Sequence, residues 1–159
     1  MALNITVREI QKQEYPLLED FLYHAVFQPP GGPLIPREVI FQPEVFVYIK
    51  DFGTGAGDCG VVAERGSKII GAAWTRIIPG FGHIDANTPE LATSVLPEFR
   101  GQGVGTLMMT RLFELLRRRG YRQTSLAVQK RNAAARFYTR LGYKAIREND
   151  EEFIMVKDL

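Results

Sequence analysis

Gly101, Gly103 and Gly105 stand at alternate positions in the stretch LPEFRGQGVGTLMMTRL, between the extended-looking ELATSVL and a segment of helical period. Glycine loses more backbone entropy on ordering than any other residue, and a plain helix start asks only for one capping side chain. Such a run is expected where something must come close to the main chain. A strand, a tight glycine turn and a helix N-terminus also form an anion site. Unpaired N–H groups converge there, and the helix dipole adds roughly half a positive charge.

Two phosphate-binding loops fail the test of spacing. The P-loop, G-x-x-x-x-G-K-[ST], needs a lysine that follows none of these glycines. The dinucleotide fingerprint G-x-G-x-x-G, started at Gly101 and Gly103, puts Thr106 in its third place, and only 53 residues remain to complete such a domain. A plain glycine-rich turn stays open at this point.

Elsewhere the chain alternates strand-like and helix-like segments. NITVR at 4–8 reads as a short strand and EYPLLEDFLYHAVF at 14–27 as an amphipathic helix. QPPGGPLIP at 28–36 is a loop by its prolines and paired glycines, and a second helical segment over 38–51 is interrupted at Pro43. CGVVAER and KIIGAAWTRII, parted by Gly66 and Ser67, predict a β-hairpin, and ELATSVL is a fourth strand. The helix after the glycines shows Val104, Met108, Leu112 and Leu115 on one face and ends at RRRG, where cations meet the negative end of the dipole and Gly120 suits C′. TSLAV at 124–128 is a strand, 132–141 a helix closed by Gly142, and YKAIRE with EFIMVK a terminal hairpin. The expected fold class is α/β: one domain over 1–159 with a mixed central sheet of six or seven strands and about four flanking helices.

Composition narrows the function classes. At 45% hydrophobic and 24% charged residues the chain is of ordinary globular type. The net charge of +2 is too small to imply a nucleic-acid partner, and Arg117, Arg118 and Arg119 are already explained by the helix end. Charge is segregated, however. Residues 1–97 hold seven Lys/Arg against eleven Asp/Glu, a net of −4, and residues 98–159 hold thirteen against seven, a net of +6. The basic half begins at the glycine run and would suit an anionic ligand there, with a cationic one across from it. A lone cysteine, Cys59, forms no internal disulfide, no apolar run approaches the roughly 20 residues of a membrane span, and the N-terminus shows no apolar signal region. A cytoplasmic protein without a membrane partner is expected.

Two blocks carry a family resemblance. Arg100-Gly101-Gln102-Gly103-Val104-Gly105 matches the [RQ]-x-x-G-x-[GA] motif of the GNAT superfamily of N-acetyltransferases, and Asn132 to Tyr143, NAAARFYTRLGY, resembles that family's N-x-x-A-x-x-x-Y-x-x-x-G-[FY] segment. Their order, with a strand before each, makes the pair more specific than either block. The likeness is closest over residues 68–147. It implies that strands 4 and 5 splay apart, and that acetyl-CoA is the co-substrate with no metal required. The implied pyrophosphate contacts fall on the backbone from Arg100 through Gly101, Gln102, Gly103 and Val104 to Gly105, with Thr106 at the helix start. The pantetheine arm would follow the main chain at Val95 and Leu96 and meet the side chain of Asn132, whose plainer role is a helix N-cap.

The implied reaction is direct attack of a primary amine on the thioester through a tetrahedral intermediate. It needs an oxyanion donor, a partner for the leaving thiolate, and a base. The backbone N–H of Val95 would serve the first. Tyr138 matches the family's tyrosine beside the sulfur; a phenol of pKa about 10 is a weaker acid than a thiol of about 8.5, so a hydrogen bond to the thiolate is easier than full proton donation. Glu90 is the first candidate for the base, although its spacing from Arg100 is one residue out of register, with His83 and Asp85 as alternatives. Cys59 has no sequence neighbour that would make it a nucleophile. Enzymes that acetylate ribosomal-protein N-termini carry a glutamate in the fifth strand where this chain has Ala127, which counts against that acceptor. The acceptor, a small-molecule or peptide amine, would be met by the first half of the chain. Phe27, Phe41, Tyr48, Trp74 and Phe81 are candidate walls, the 28–36 loop a cover, and Glu44, Asp85 and Glu90 a source of attraction for a cation. A homodimer is in keeping with the family. The competing reading is a catalytically silent sensor that binds acetyl-CoA and transfers nothing.

Overall fold

In the computed structural model, residues 4–159 are described; residues 1–3 of the single domain expected over 1–159 lie outside the described residues. Seven strands form one sheet in the order β1-β2-β3-β4-β5-β7-β6: β1 Ile5–Glu9, β2 Cys59–Arg65, β3 Lys68–Arg76, β4 Glu90–Val95, β5 Gln123–Gln129, β6 Lys144–Glu148 and β7 Glu152–Asp158. All neighbours are antiparallel except β4 and β5. The helices are α1 Leu18–Ala25, α2 Pro43–Phe46, α3 Val104–Arg118 and α4 Ala134–Arg140. The expected mixed α/β sheet is present, with seven strands and four α-helices among the described residues.

Alternation along the central strands divides the core in two. Val61, Ala63 and Ala73 face α3, and Val62, Ala72 and Trp74 face α1. On α3 the buried residues are Val104, Met108, Met109, Leu112, Phe113 and Leu116. Leu115, expected on that face, is only half-buried and Leu116 takes the inner position. Each fully buried side chain of this size contributes about 1.5–3 kcal/mol as an upper bound, so α3 is fixed against the sheet mainly by this stripe. Its C-terminus runs as the sequence predicts, with Gly120 at φ +88°.

Two local expectations are revised. The segment over 14–27 starts as a 3-10 turn, Lys12–Leu17, because Pro16 lacks the N–H that an α-helical bond would use. Pro43 does not interrupt a helix; it begins α2 at the first position, where its missing N–H does no harm, after a separate 3-10 turn over Arg37–Phe41.

The segment between α2 and β2 is held by a buried ion pair. Arg76 Nε donates to Asp58 Oδ1 at 2.8 Å, and Nη2 donates to Oδ2 at 3.0 Å. Arg76 Nη1 also donates to the carbonyls of Val47 and Lys50, while Asp58 Oδ2 accepts the N–H groups of Gly53 and Gly55. Trp74 Nε1 donates to the Tyr48 carbonyl at 2.9 Å. These bonds fix the backbone on both sides of Tyr48.

Candidate active site

β4 and β5 pair only at their start, Glu90 opposite Ser125, and then part. The Leu96 N–H donates to Ile70 on the β3 side, at 2.9 Å. By the alternation of an antiparallel ladder, Thr93 and Val95 then turn their N–H groups away from β3, into the opening between β4 and β5. Main-chain donors therefore line the splay. Leu96 is not one of them, since its N–H is engaged and its carbonyl accepts from Phe99. Thr93, at the junction described below, was not foreseen. Two-residue alternation back from Val95 along the strand would have found it.

The glycine turn has three separate causes. Gly101 and Gly103 have φ of +75° and +83°, in the left-handed region that disfavours side chains, and space is open where each Cβ would project. Gly105 is helical, and an added Cβ would stand 3.1 Å from the Phe137 ring of α4. The close approach expected at that position is thus made by the protein's own phenylalanine. The first α3 bond runs from Leu107 N–H to the Gly103 carbonyl, and no side chain caps the helix. The N–H groups of Val104, Gly105 and Thr106 have no acceptor within the helix. Arg100 reaches back along β4, its Nε donating to the Val95 carbonyl at 2.9 Å.

A cleft of about 730 Å³ runs from Arg100 and Pro97 past Thr93 to Val95 on one side and Asn132 to Ala134 on the other. The 28–36 loop, expected over the acceptor, instead walls this cleft with Gln28 to Gly32 and Leu34. The backbone from Gly101 to Thr106 lies beyond its lining. Asn132 lines the cleft, and its Oδ1 accepts the N–H of Ala134, the first residue of α4, at 2.9 Å.

A second cavity, about 280 Å³, meets the cleft at Ala25, Val26, Phe27, Thr93 and Tyr138 and extends to Glu90. Glu90 is 2% exposed. Its Oε2 accepts the Tyr48 hydroxyl and, at 2.9 Å, the Gly82 N–H; its Oε1 has no partner. Burial pushes the carboxyl above its ordinary range, against the pull of those two donors. Glu90 shares the α1 face with Ala92 and Ser94, and it lines the cavity at the closed end of the splay, where β4 and β5 still pair. Gly82 packs directly on β5, since a Cβ on it would lie 2.6 Å from the Leu126 carbonyl carbon.

Tyr138 borders both spaces. Its ring packs edge-on against Tyr143 at 5.8 Å, and burial pushes its hydroxyl up to about 12. His83 and Asp85 line neither space; Asp85 is held below its usual range by the Thr88 hydroxyl and the Asn87 N–H in an exposed turn. Cys59 is 3% exposed within the α3-side core and its thiol is raised to about 11 by burial. Of the aromatic candidates, Phe27, Tyr48 and Phe81 line the cavity. Trp74 is buried in the core, and Phe41 is exposed and packs on Phe46. Glu44 lies outside the cavity, whereas Glu152, unnoticed in the sequence, lines it. No helix among the described residues is long and apolar enough to cross a membrane, and no cluster of three His, Cys, Asp or Glu side chains is placed to hold a metal.

The model of the acetyltransferase (GNAT) family matches residues 8–143. Among solved structures, the PaiA N-acetyltransferase of Thermoplasma acidophilum in complex with coenzyme A superposes with a TM-score of 0.73, at 18% identity over 99% of this chain and 100% of that one. The ribosomal-protein-alanine N-acetyltransferase of Brucella melitensis gives 0.68 at 21% identity, over 97% and 99%. YncA of Salmonella typhimurium, solved with acetyl-CoA, gives 0.66 at 18% identity, over 98% and 94%. No curated protein matches the sequence.

Proposed function

The chain belongs to the GNAT acetyltransferase family, and on that premise we propose that it transfers the acetyl group of acetyl-CoA to a primary amine by direct attack. One observation carries this reading. The β4–β5 splay joins a cleft that starts near an uncapped helix N-terminus to a cavity holding a buried carboxylate, with Tyr138 at the junction. The residues suit the co-substrate: three unpaired N–H groups for a pyrophosphate, Thr93 and Val95 N–H for the pantetheine arm and the carbonyl oxygen, and Asn132 beside them.

An alkylammonium of pKa about 10.4 must lose a proton before it attacks. Glu90 takes it through Oε1, while Tyr48 and Gly82 hold Oε2. Burial raises the carboxyl and lowers a bound ammonium, so the two affinities converge. The amine lone pair then forms the C–N bond, the carbonyl electrons move onto oxygen facing the Val95 or Thr93 N–H, and collapse breaks the C–S bond. The second amine proton passes to the departing thiolate as the intermediate collapses, Tyr138 donates a hydrogen bond to that sulfur, and Glu90 returns the first proton to solvent. The products are the acetamide and free thiol. The carbonyl of Val95 is held by Arg100, so that side chain must yield if the arm is to use it. A cytoplasmic location accords with a chain that depends on acetyl-CoA and has a single, buried cysteine.

The test pairs thermal unfolding with thiol release. Acetyl-CoA should raise the unfolding temperature by linkage. Thr106→Glu places a carboxylate in the first turn of α3 without the backbone strain that a side chain on Gly103 would add, and should abolish the rise while leaving the unliganded protein as stable. An unchanged unfolding temperature at millimolar acetyl-CoA would refute the co-substrate assignment. Thiol release without N-acetylated product would refute amine transfer.

A further inference from the structure

The cavity beside Glu90 has a lopsided wall. Phe27, Tyr48, Phe81 and Tyr138 give it four aromatic rings, Glu90 and Glu152 give it two carboxylates, and no Lys, Arg or His lines it. Two carboxylates facing one apolar space disfavour each other's charge unless a cation lies between them. Oε1 of Glu90 is buried without a hydrogen-bond donor, although Oε2 has two. A buried acceptor left unpaired is costly, and a ligand N–H would satisfy it. Aromatic faces attract the same kind of charge. Phe81 lies nearly parallel to Tyr48, interplanar angle 18° and centroids 6.4 Å apart, and is half exposed at the cavity edge.

We propose that the acceptor is a compact primary ammonium with one apolar body, of the 2-arylethylamine class, its cation between Glu90 and Glu152 and its ring against Phe81. The proposal rests on the amine-transfer reading above and adds the substrate class. Size supports it: at about 30 Å³ for each water-sized group, a cavity of 280 Å³ takes a molecule of about nine non-hydrogen atoms. A long polyamine would need further carboxylates for its distant cations. The space that continues from the cavity is instead lined by Arg100 and Arg131, of the opposite sign, and suits the anionic co-substrate. Glu152 and Phe81 are then specificity-determining residues.

The experiment measures thiol release by the purified full chain with acetyl-CoA and, separately, 2-phenylethylamine, spermidine and an alanine-initiated tetrapeptide. The expected result is a kcat/KM for 2-phenylethylamine at least tenfold above both others. Glu152→Gln should raise its KM about tenfold, more than it lowers kcat, and Phe81→Ala, a change at a half-exposed side chain, should do the same. Preference for spermidine or the peptide, no release with 2-phenylethylamine, or an unchanged KM in both variants would overturn the proposal. The acetyl-CoA thermal shift separates the two levels: if it persists while the arylethylamine fails, the acceptor class is wrong and the co-substrate site stands; if it is absent, the underlying reading falls as well.

Discussion

The hydroxyl of Tyr48 donates to one oxygen of the Glu90 carboxylate and at the same time accepts the Phe81 N–H at 2.9 Å. One phenol thus joins the candidate base to the loop that closes its cavity. Tyr48 itself is in place because the bonds from Trp74 and Arg76 fix the backbone around it. Removing the hydroxyl in Tyr48→Phe takes away a donor that favours ionised Glu90, so the carboxyl should rise further. If the reaction requires ionised Glu90, the acid limb of kcat/KM moves to higher pH, and activity near neutrality falls by about an order of magnitude. A pH–rate profile checks this; an unmoved limb would disconnect Tyr48 from the base.

Glu90 also makes a prediction about stability. Its folded-state pKa is raised, so its contribution to stability is fully present below the unfolded value and is lost as pH rises through the folded one. Glu90→Gln removes that loss. The variant should be at least as stable as the parent at pH 7–8, lose this advantage near pH 4, and be nearly inactive with amines. Thermal unfolding across that range, set beside thiol release, provides the measurement. A variant less stable at every pH would make Glu90 a structural residue.

Tyr138 should act as a neutral donor. With its hydroxyl pushed up to about 12, transfer of its proton to a thiolate whose thiol has a pKa of about 8.5 is uphill, whereas a hydrogen bond to that thiolate is worth about 1.5–3 kcal/mol. Tyr138→Phe should lower kcat by roughly 10- to 150-fold, with little change in the KM for acetyl-CoA. The alkaline side of the profile should show no limb from Tyr138 below pH 10. Steady-state kinetics of the variant test both statements.

The Arg76–Asp58 pair is remote from the chemistry but supports it. Asp58→Ala would leave the guanidinium buried without its carboxylate and free the Gly53 and Gly55 N–H groups, a loss of about 3–5 kcal/mol. Denaturant unfolding should show the lower midpoint. Because Arg76 also holds the carbonyls of Val47 and Lys50, the surviving folded fraction should bind the acceptor more weakly than the co-substrate.

Much of the fold follows from local signals. The Gly66-Ser67 turn between two apolar runs marks the β2–β3 hairpin, and RRRG marks the end of α3, because turn chemistry and the helix dipole act within a few residues. Where non-local contacts compete, sequence reading slips. Leu115 and Leu116 are equally apolar, and only the packing of α3 on the sheet shows which one faces inward. The reason Gly105 lacks a side chain is likewise non-local, since the ring a Cβ would meet comes from α4, thirty-two residues away.

The order of elements, the turn before α3, the charge asymmetry and the residue types at Glu90, Tyr138 and Asn132 were written in the chain itself, since each depends on near neighbours or on chemical identity alone. Tertiary structure decided which of them meet. Parting of β4 from β5 left the Thr93 and Val95 N–H groups facing an opening, packing brought Glu90 and Glu152 to one cavity, and His83, Asp85, Trp74 and Phe41 line neither space. It also engaged both backbone groups of Leu96 in contacts of its own. Strand register and the divergence of two parallel strands are set by packing across the whole sheet, and no window of sequence contains that information.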